Sequence, residues 1–114
     1  MKPILLLLLL ICTSQIYGQG KSYDYCYQNK KSICVYSIAD KQEQVIVKEG
    51  GTDPCISPDG KKVAYTINSK GDTRTVGIID LNSKQKITLK TNSRNCFGPV
   101  WSPDGKYIAY SVFK

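Results

Sequence analysis

Two tetrads, Ser57-Pro58-Asp59-Gly60 and Ser102-Pro103-Asp104-Gly105, hold the residues of this 114-residue chain best suited to chemistry. Their hydroxyls could serve as nucleophiles and their carboxylates could carry protons. Both roles need partners. A serine needs an adjacent base, and an acid–base carboxylate needs a second titratable group set against it. Each tetrad has one carboxylate only, and the chain contains no histidine, which removes His-based triads and imidazole metal ligands together. Ser57 and Ser102 are each followed by proline and do not sit in a Gly-x-Ser-x-Gly elbow. Calcium loops of the Asp-x-Asp-x-Asp-Gly kind and glycine-rich phosphate loops are absent as well. The expectation is a non-enzymatic chain without cofactor or metal, in which the tetrads are structural.

Cysteine is the other reactive residue type. Cys12 lies in a leader-like segment, leaving Cys26, Cys34, Cys55 and Cys96. No two have the Cys-x-x-Cys spacing of a zinc knuckle or redox site. An even number in an exported chain points to two disulfides, with three connectivities open. Cys26 and Cys34 flank a turn centred near Lys30, where a hairpin would set them opposite each other.

The export reading comes from residues 1–18. A short basic start, Met1-Lys2-Pro3, precedes an apolar run from Ile4 to Ile11, then polar and small residues. That is the layout of a secretory signal peptide, with Gly18 the expected cleavage point. The run falls short of the roughly 20 apolar residues of a membrane span, so no transmembrane segment is expected in the mature chain. Lipoprotein anchoring at Cys12 is disfavoured, because Ile11 stands where a small residue is wanted. The reading is therefore periplasmic or secreted. The net charge is +7, or +6 without Lys2 (15 basic against 9 acidic). The lysines are scattered and do not form a stripe with interleaved aromatics, so the charge reads as a solvated surface with no nucleic-acid partner.

The tetrads belong to a longer repeat. Residues 55–68 and 100–113 are identical at seven of fourteen aligned positions, and Ser57 and Ser102 are 45 residues apart. Periods of roughly 40–45 built from short strands are those of propeller blades. Within each tetrad, proline presets φ at the second turn position, aspartate suits the third, and glycine allows a left-handed fourth. A β-branched and aromatic strand follows each turn, at 62–67 and 107–112. Neither alternates strictly, which predicts burial on both faces. Strands are further expected at 74–80 and 85–89, completing a four-stranded unit, and at 22–28, 32–38 and 44–48, the last three strands of a preceding unit.

The run Trp101-Ser102-Pro103-Asp104-Gly105-Lys106, continued by Ile108-Ala109-Tyr110, resembles the TolB-type, WD-like propeller repeat, and the copy at 56–65 resembles it with Ile56 in place of tryptophan. The resemblance implies an all-β fold of four-stranded antiparallel blades. About two and a quarter blades are expected: a partial blade at 19–50, a full one at 51–95 and the start of a third at 96–114. It also implies export and protein binding. Such families close rings of more blades, so the chain reads as a truncated sequence, with an oligomer that builds a ring by self-association through open blade edges, or a short stand-alone sandwich, as the alternatives. In that frame Cys55 and Cys96 are expected near the starts of successive inner strands, where a bridge would tie neighbouring blades.

Tyr23, Tyr25 and Tyr27 fall on one face of a strand by period 2. They are expected to pack between blades rather than to form a platform for sugar or peptide. The sequence thus predicts a non-catalytic protein-binding or scaffold module of the bacterial periplasm or envelope, contacting a protein partner through blade loops such as 68–73. The alternatives are the propeller part of a secreted prolyl-oligopeptidase-like peptidase and a carbohydrate-binding surface protein.

Overall fold

The computed structural model describes residues 20–113; the expected leader at 1–18 and Cys12 lie outside them. The described residues form nine strands and no helix. Strands β1 (Tyr25–Asn29), β2 (Ser32–Ser37) and β3 (Gln42–Val47) make a three-stranded antiparallel sheet in chain order. Strands β4 (Gly51–Ile56), β5 (Lys62–Asn68), β6 (Arg74–Asp80) and β7 (Lys86–Thr88) make a four-stranded one, and β8 (Cys96–Trp101) pairs with β9 (Ile108–Val112). These are blade-like sheets, meandering antiparallel with tight connections, as the sequence predicts.

The main core lies between the first two sheets. Ile33, Val35 and Val47 of the first meet Val63, Tyr65 and Ile79 of the second, and all six are at most 5% exposed. Strand β5 has Val63, Ala64, Tyr65 and Thr66 buried in succession, because a sheet covers each of its faces. The equivalent β9 is different. Tyr110 and Val112 are 38% and 44% exposed. The prediction of two buried faces fails there because none of the described residues packs on the outer side of β9.

Both Ser-Pro-Asp-Gly tetrads close the connection between the first two strands of their sheets in one geometry. In the first, Gly60 N–H donates to Ser57 O (2.9 Å) and Ser57 N–H to Lys62 O (2.8 Å). The Ser57 hydroxyl donates to Asp59 Oδ1 (2.6 Å) and accepts from Lys62 N–H (2.9 Å), while Asp59 Oδ1 also accepts from Lys61 N–H (3.0 Å). In the second, Ser102, Asp104, Lys106 and Tyr107 repeat the pattern at 2.6–3.0 Å. Gly60 and Gly105 take φ of 72° and 76°, the left-handed region where a side chain is strained.

The inner strands share a second device that the sequence pattern had not exposed. Both β4 and β8 carry a register shift, between Thr52 and Cys55 and between Phe97 and Val100. Each holds one residue of left-handed φ just before a proline: Asp53 at 51° before Pro54, Gly98 at 65° before Pro99. Proline cannot donate to a ladder, so a bulge is where an inner strand tolerates it. The Thr66 hydroxyl, buried on β5, donates to Asp53 Oδ2 (3.0 Å) and accepts from Gly98 N–H (2.9 Å), joining the two bulges. Trp101 Nε1–H donates to Cys55 O (2.9 Å) and ties β8 to β4 at their other end.

Two predictions follow from the turns. A Cβ on Gly60 would lie 2.3 Å from Tyr23 O, whereas one on Gly105 would meet nothing nearer than Pro58 Cδ at 3.7 Å. Gly105→Ala should therefore cost only the backbone strain, about 1 kcal/mol, and Gly60→Ala at least twice that. Equal losses on chemical denaturation would count against the clash. The second prediction concerns acid. The Ser57 hydroxyl, followed by the Lys61 amide, holds the Asp59 carboxyl below its usual range, and the Ser102 hydroxyl with the Lys106 amide does the same to Asp104. Depressed carboxyl pKa values stabilise the fold above the unfolded value of about 3.9, and that stability is lost as pH falls through the folded values. Stability should be flat from pH 7 to about 5 and fall below about 4, and Asp59→Asn should weaken the acid dependence.

Candidate interaction surface

The strand connections fall at two ends of the sheets, and the ends differ in charge. At one end lie residues 30–31, 48–50, 69–73 and 89–95, with six basic residues (Lys30, Lys31, Lys48, Lys70, Lys90, Arg94) against Glu49 and Asp72. At the other lie 38–41, 57–61, 81–85 and 102–107, with four lysines against Asp40, Asp59 and Asp104. Both Ser-Pro-Asp-Gly tetrads are at this second, nearly balanced end. Lysines that look scattered in sequence are thus gathered by topology. Their spacing follows the strand lengths, which is the signal a linear search for a basic stripe misses.

The basic end is held together by its backbone. Asn29 pairs with Ser32, leaving Lys30 and Lys31 as a two-residue turn with Lys30 at φ 58°. Lys31 O accepts from Gly51 N–H (3.1 Å), and Ser32 Oγ donates to Lys48 O (2.7 Å). The Asn68 side-chain amide donates to Gly50 O (3.2 Å) and to Thr52 Oγ1 (2.9 Å). Around these ties a shallow depression of about 1090 Å³ is lined by Lys30, Lys31, Lys48 and Lys70 against the single carboxylate of Glu49, with Asn68 and Ser69 between them. All four lysines are exposed. Among the described residues only Lys21 and Asp40 form an ion pair (2.8 Å), away from this end, so the four ammonium groups have no carboxylate within bonding distance. Farther along, the Arg74 guanidinium sits 3.9 Å from the centre of the Phe97 ring and its Nε–H donates to Asn95 Oδ1 (2.7 Å). Arg74 is spent on structure, while the lysines are free to meet an anion.

Tyr25 and Tyr27 share a face as period 2 predicts, their ring centres 6.2 Å apart, but Tyr23 does not join them. Strand β1 begins at Tyr25, and Tyr23 precedes it, packed against the main core with its hydroxyl donating to Gln44 Oε1 (2.9 Å). Tyr25 stacks on Tyr36 (5.3 Å between centroids, 13° between planes) on the face away from that core and is 45% exposed.

The cysteine positions also need correcting. The two-residue turn sets Cys26 opposite Val35 and Cys34 opposite Tyr27. A turn one residue shorter than expected flips the relative faces, so Cys26 and Cys34 point to opposite sides of the sheet and cannot bridge. Cys96 opens β8, but Cys55 is the fifth residue of β4, beside Trp101 at the far end of β8. Roughly five residues of strand, some 16 Å, separate that point from Cys96, and Cys55 and Cys96 do not bridge either. All four thiols are free. Among the described residues no three His, Cys, Asp or Glu side chains come together to hold a metal ion, and no helix is long and apolar enough to cross a membrane.

Comparison with known proteins bears on the fold. No family model matches the chain. Over 61 residues, 54% of this chain and 9% of the relative's own length, it is 33% identical to the uncharacterized peptidase YuxL of Bacillus subtilis (strain 168). Among solved structures, TolB from Acinetobacter baumannii superposes with a TM-score of 0.59 at 22% identity, covering 75% of this chain and 22% of that one. The β-propeller domain of the Trilobed protease from Pyrococcus furiosus, which has an open velcro topology, superposes at 0.61 and 22% identity, covering 77% and 29%. The tricorn protease gives 0.59 at 19%, covering 73% and 9%. The chain spans less than a third of each of these proteins. What these likenesses establish is the architecture, which is that of β-propeller blades.

Proposed function

We propose that this chain is a non-catalytic, protein-binding module that docks an acidic partner on the connections at its basic end. The observation that carries the reading is the sidedness of charge, with four exposed and unpaired lysines around one depression while the carboxylates of the opposite end are engaged in turns. Such a surface steers an oppositely charged partner and fixes its orientation. A non-catalytic role is supported by the serines that invited a nucleophile reading. The hydroxyls of Ser57 and Ser102 each donate to an aspartate and accept a backbone amide, leaving neither free to attack a substrate. Action in the periplasm or at the cell envelope rests on the leader-like sequence of residues 1–18.

A second reading, the propeller part of a secreted peptidase, is favoured by the 33% identity to YuxL. The two separate on a titration of isotope-labelled protein with a glutamate-rich peptide. Amide shifts confined to 30–31, 48–50 and 68–73 are expected, with affinity falling as salt rises. Lys31→Glu combined with Lys70→Glu should weaken binding at least tenfold, and Lys41→Glu combined with Lys106→Glu should leave it within twofold. Shifts spread evenly over both ends would overturn the docking surface. Hydrolysis of peptide substrates by the chain would support the peptidase reading.

A further inference from the structure

Strands β5 and β9 correspond across the 45-residue repeat, Val63, Tyr65 and Ile67 matching Ile108, Tyr110 and Val112. Their pairing to the preceding strand matches too. Asn68 N–H donates to Gly50 O (2.9 Å), and Phe113 N–H donates to Asn95 O (3.0 Å). Backbone groups alternate sides along a strand, so Ile108, Tyr110 and Val112 turn their N–H and C=O away from β8. On β5 the equivalent groups meet β6, whereas β9 pairs only with β8 among the described residues. A row of unpaired backbone groups is a template for another strand. The space beside this edge continues the interface between the second and third sheets. Ile78 and Ile87 are cross-strand partners on β6 and β7, and with Leu89, Trp101 and Ile108 they line a cavity of about 560 Å³. Tyr110 and Val112 border a second one of about 470 Å³ farther along β9. Ile87 is left 58% exposed. Neither cavity shares a residue with the four-lysine depression.

The neighbouring interface shows what fits such a place. There β6 pairs with β5, and its Ile79, opposite Val63, is buried in the main core. Gly77 lies opposite Tyr65, and a Cβ on it would stand 2.6 Å from Ile67 Cδ1 and 3.3 Å from Tyr65 Cζ. Val76 O accepts from Leu89 N–H of the β7 side (2.9 Å), so Gly77 and Ile79 turn their backbone groups to β5. We infer that the edge of β9 receives an extended, antiparallel strand from another protein. That strand carries a glycine opposite Tyr110 and, two residues on, an isoleucine, valine or leucine opposite Ile108, aimed at Ile78 and Ile87. Backbone bonds to Ile108, Tyr110 and Val112 supply affinity, and the glycine-to-aliphatic spacing supplies specificity. In this chain only Gly77 and Gly98 are followed two places on by such a residue. Both are held inside sheets, Gly77 in β6 between β5 and β7 and Gly98 in β8 against β9. A second copy therefore has no free segment of this kind to lend.

The test is a titration of the isotope-labelled full chain with a synthetic, end-capped peptide of residues 73–81, which carries the β6 register in free form. Saturable amide shifts are expected at 106–113 and at Ile78 and Ile87, with slowed hydrogen exchange at the amides of Ile108, Tyr110 and Val112. Gly77→Val in the peptide, or N-methylation of its Ile79 amide, should weaken binding about tenfold or more, the first by clash and the second by loss of a ladder bond. Ile87→Asp in the chain, at an exposed position, should weaken it likewise. Lys31→Glu combined with Lys70→Glu should leave it unchanged, which separates this surface from the basic end. Full binding by the N-methylated peptide means adhesion without strand pairing and overturns the inference. Shifts elsewhere, or none, do the same. Protection of the Ile108, Tyr110 and Val112 amides in the chain alone, with a dimer mass by light scattering, would give the edge to a second copy and overturns it as well.

Discussion

Everything in this molecule depends on one apolar layer shared by two sheets. Ile33, Val35 and Val47 are buried only because Val63, Tyr65 and Ile79 lie across from them. A single three- or four-stranded sheet has nothing of its own to cover its apolar face. Folding is therefore cooperative between blades, as in other repeat architectures where stability resides in the interface between neighbours. The backbone ties from Lys31 to Gly51 and from Tyr23 to Gly60 run along the rim of that layer. They fix the distances between loops that are far apart in sequence, and the clustering of lysines at one end is a by-product of the same packing.

The polar turns at the opposite end complement this arrangement. Aspartates 59, 80 and 104 each accept hydrogen bonds from backbone amides of their own turn, and Lys21 neutralises Asp40. Negative charge is thus consumed locally within these turns. The basic connections contain no comparable aspartate turn, so their charge stays open to solvent. The polarity of the module is the outcome of turn chemistry, since a Ser-Pro-Asp-Gly connection needs its carboxylate and the connections opposite, the two-residue Lys30-Lys31 turn among them, do not.

Much of the fold was legible in the sequence, and the failures have identifiable causes. The spacing of 45 residues and the proline and glycine in each tetrad located the strand that follows each turn, because local backbone preferences there agree with the tertiary structure. Pairing across the 30–31 turn was misjudged, because lysine takes the left-handed position that glycine usually marks. That one-residue error carried Cys26 and Cys34 to the wrong faces. The Pro54 and Pro99 bulges were missed because the preceding residues differ, Asp53 in one and Gly98 in the other, so the backbone conformation repeats where the letters do not. The basic end escaped notice altogether, since no linear pattern records which loops share an end of a sheet.

The Thr66 hydroxyl has a consequence of its own. It donates its single hydrogen bond to Asp53 and accepts one from the amide of Gly98, so a donor chain runs in one direction from the third sheet through the second to the bulge of its inner strand. Hydrogen bonds linked in series polarise one another, and each link here strengthens the next. Adjacent blades are thereby bound with a sense, like gears that mesh in one orientation. A hydroxyl at the corresponding place of the following strand, Ser111, provides the group with which a further blade would extend the same relay around an axis.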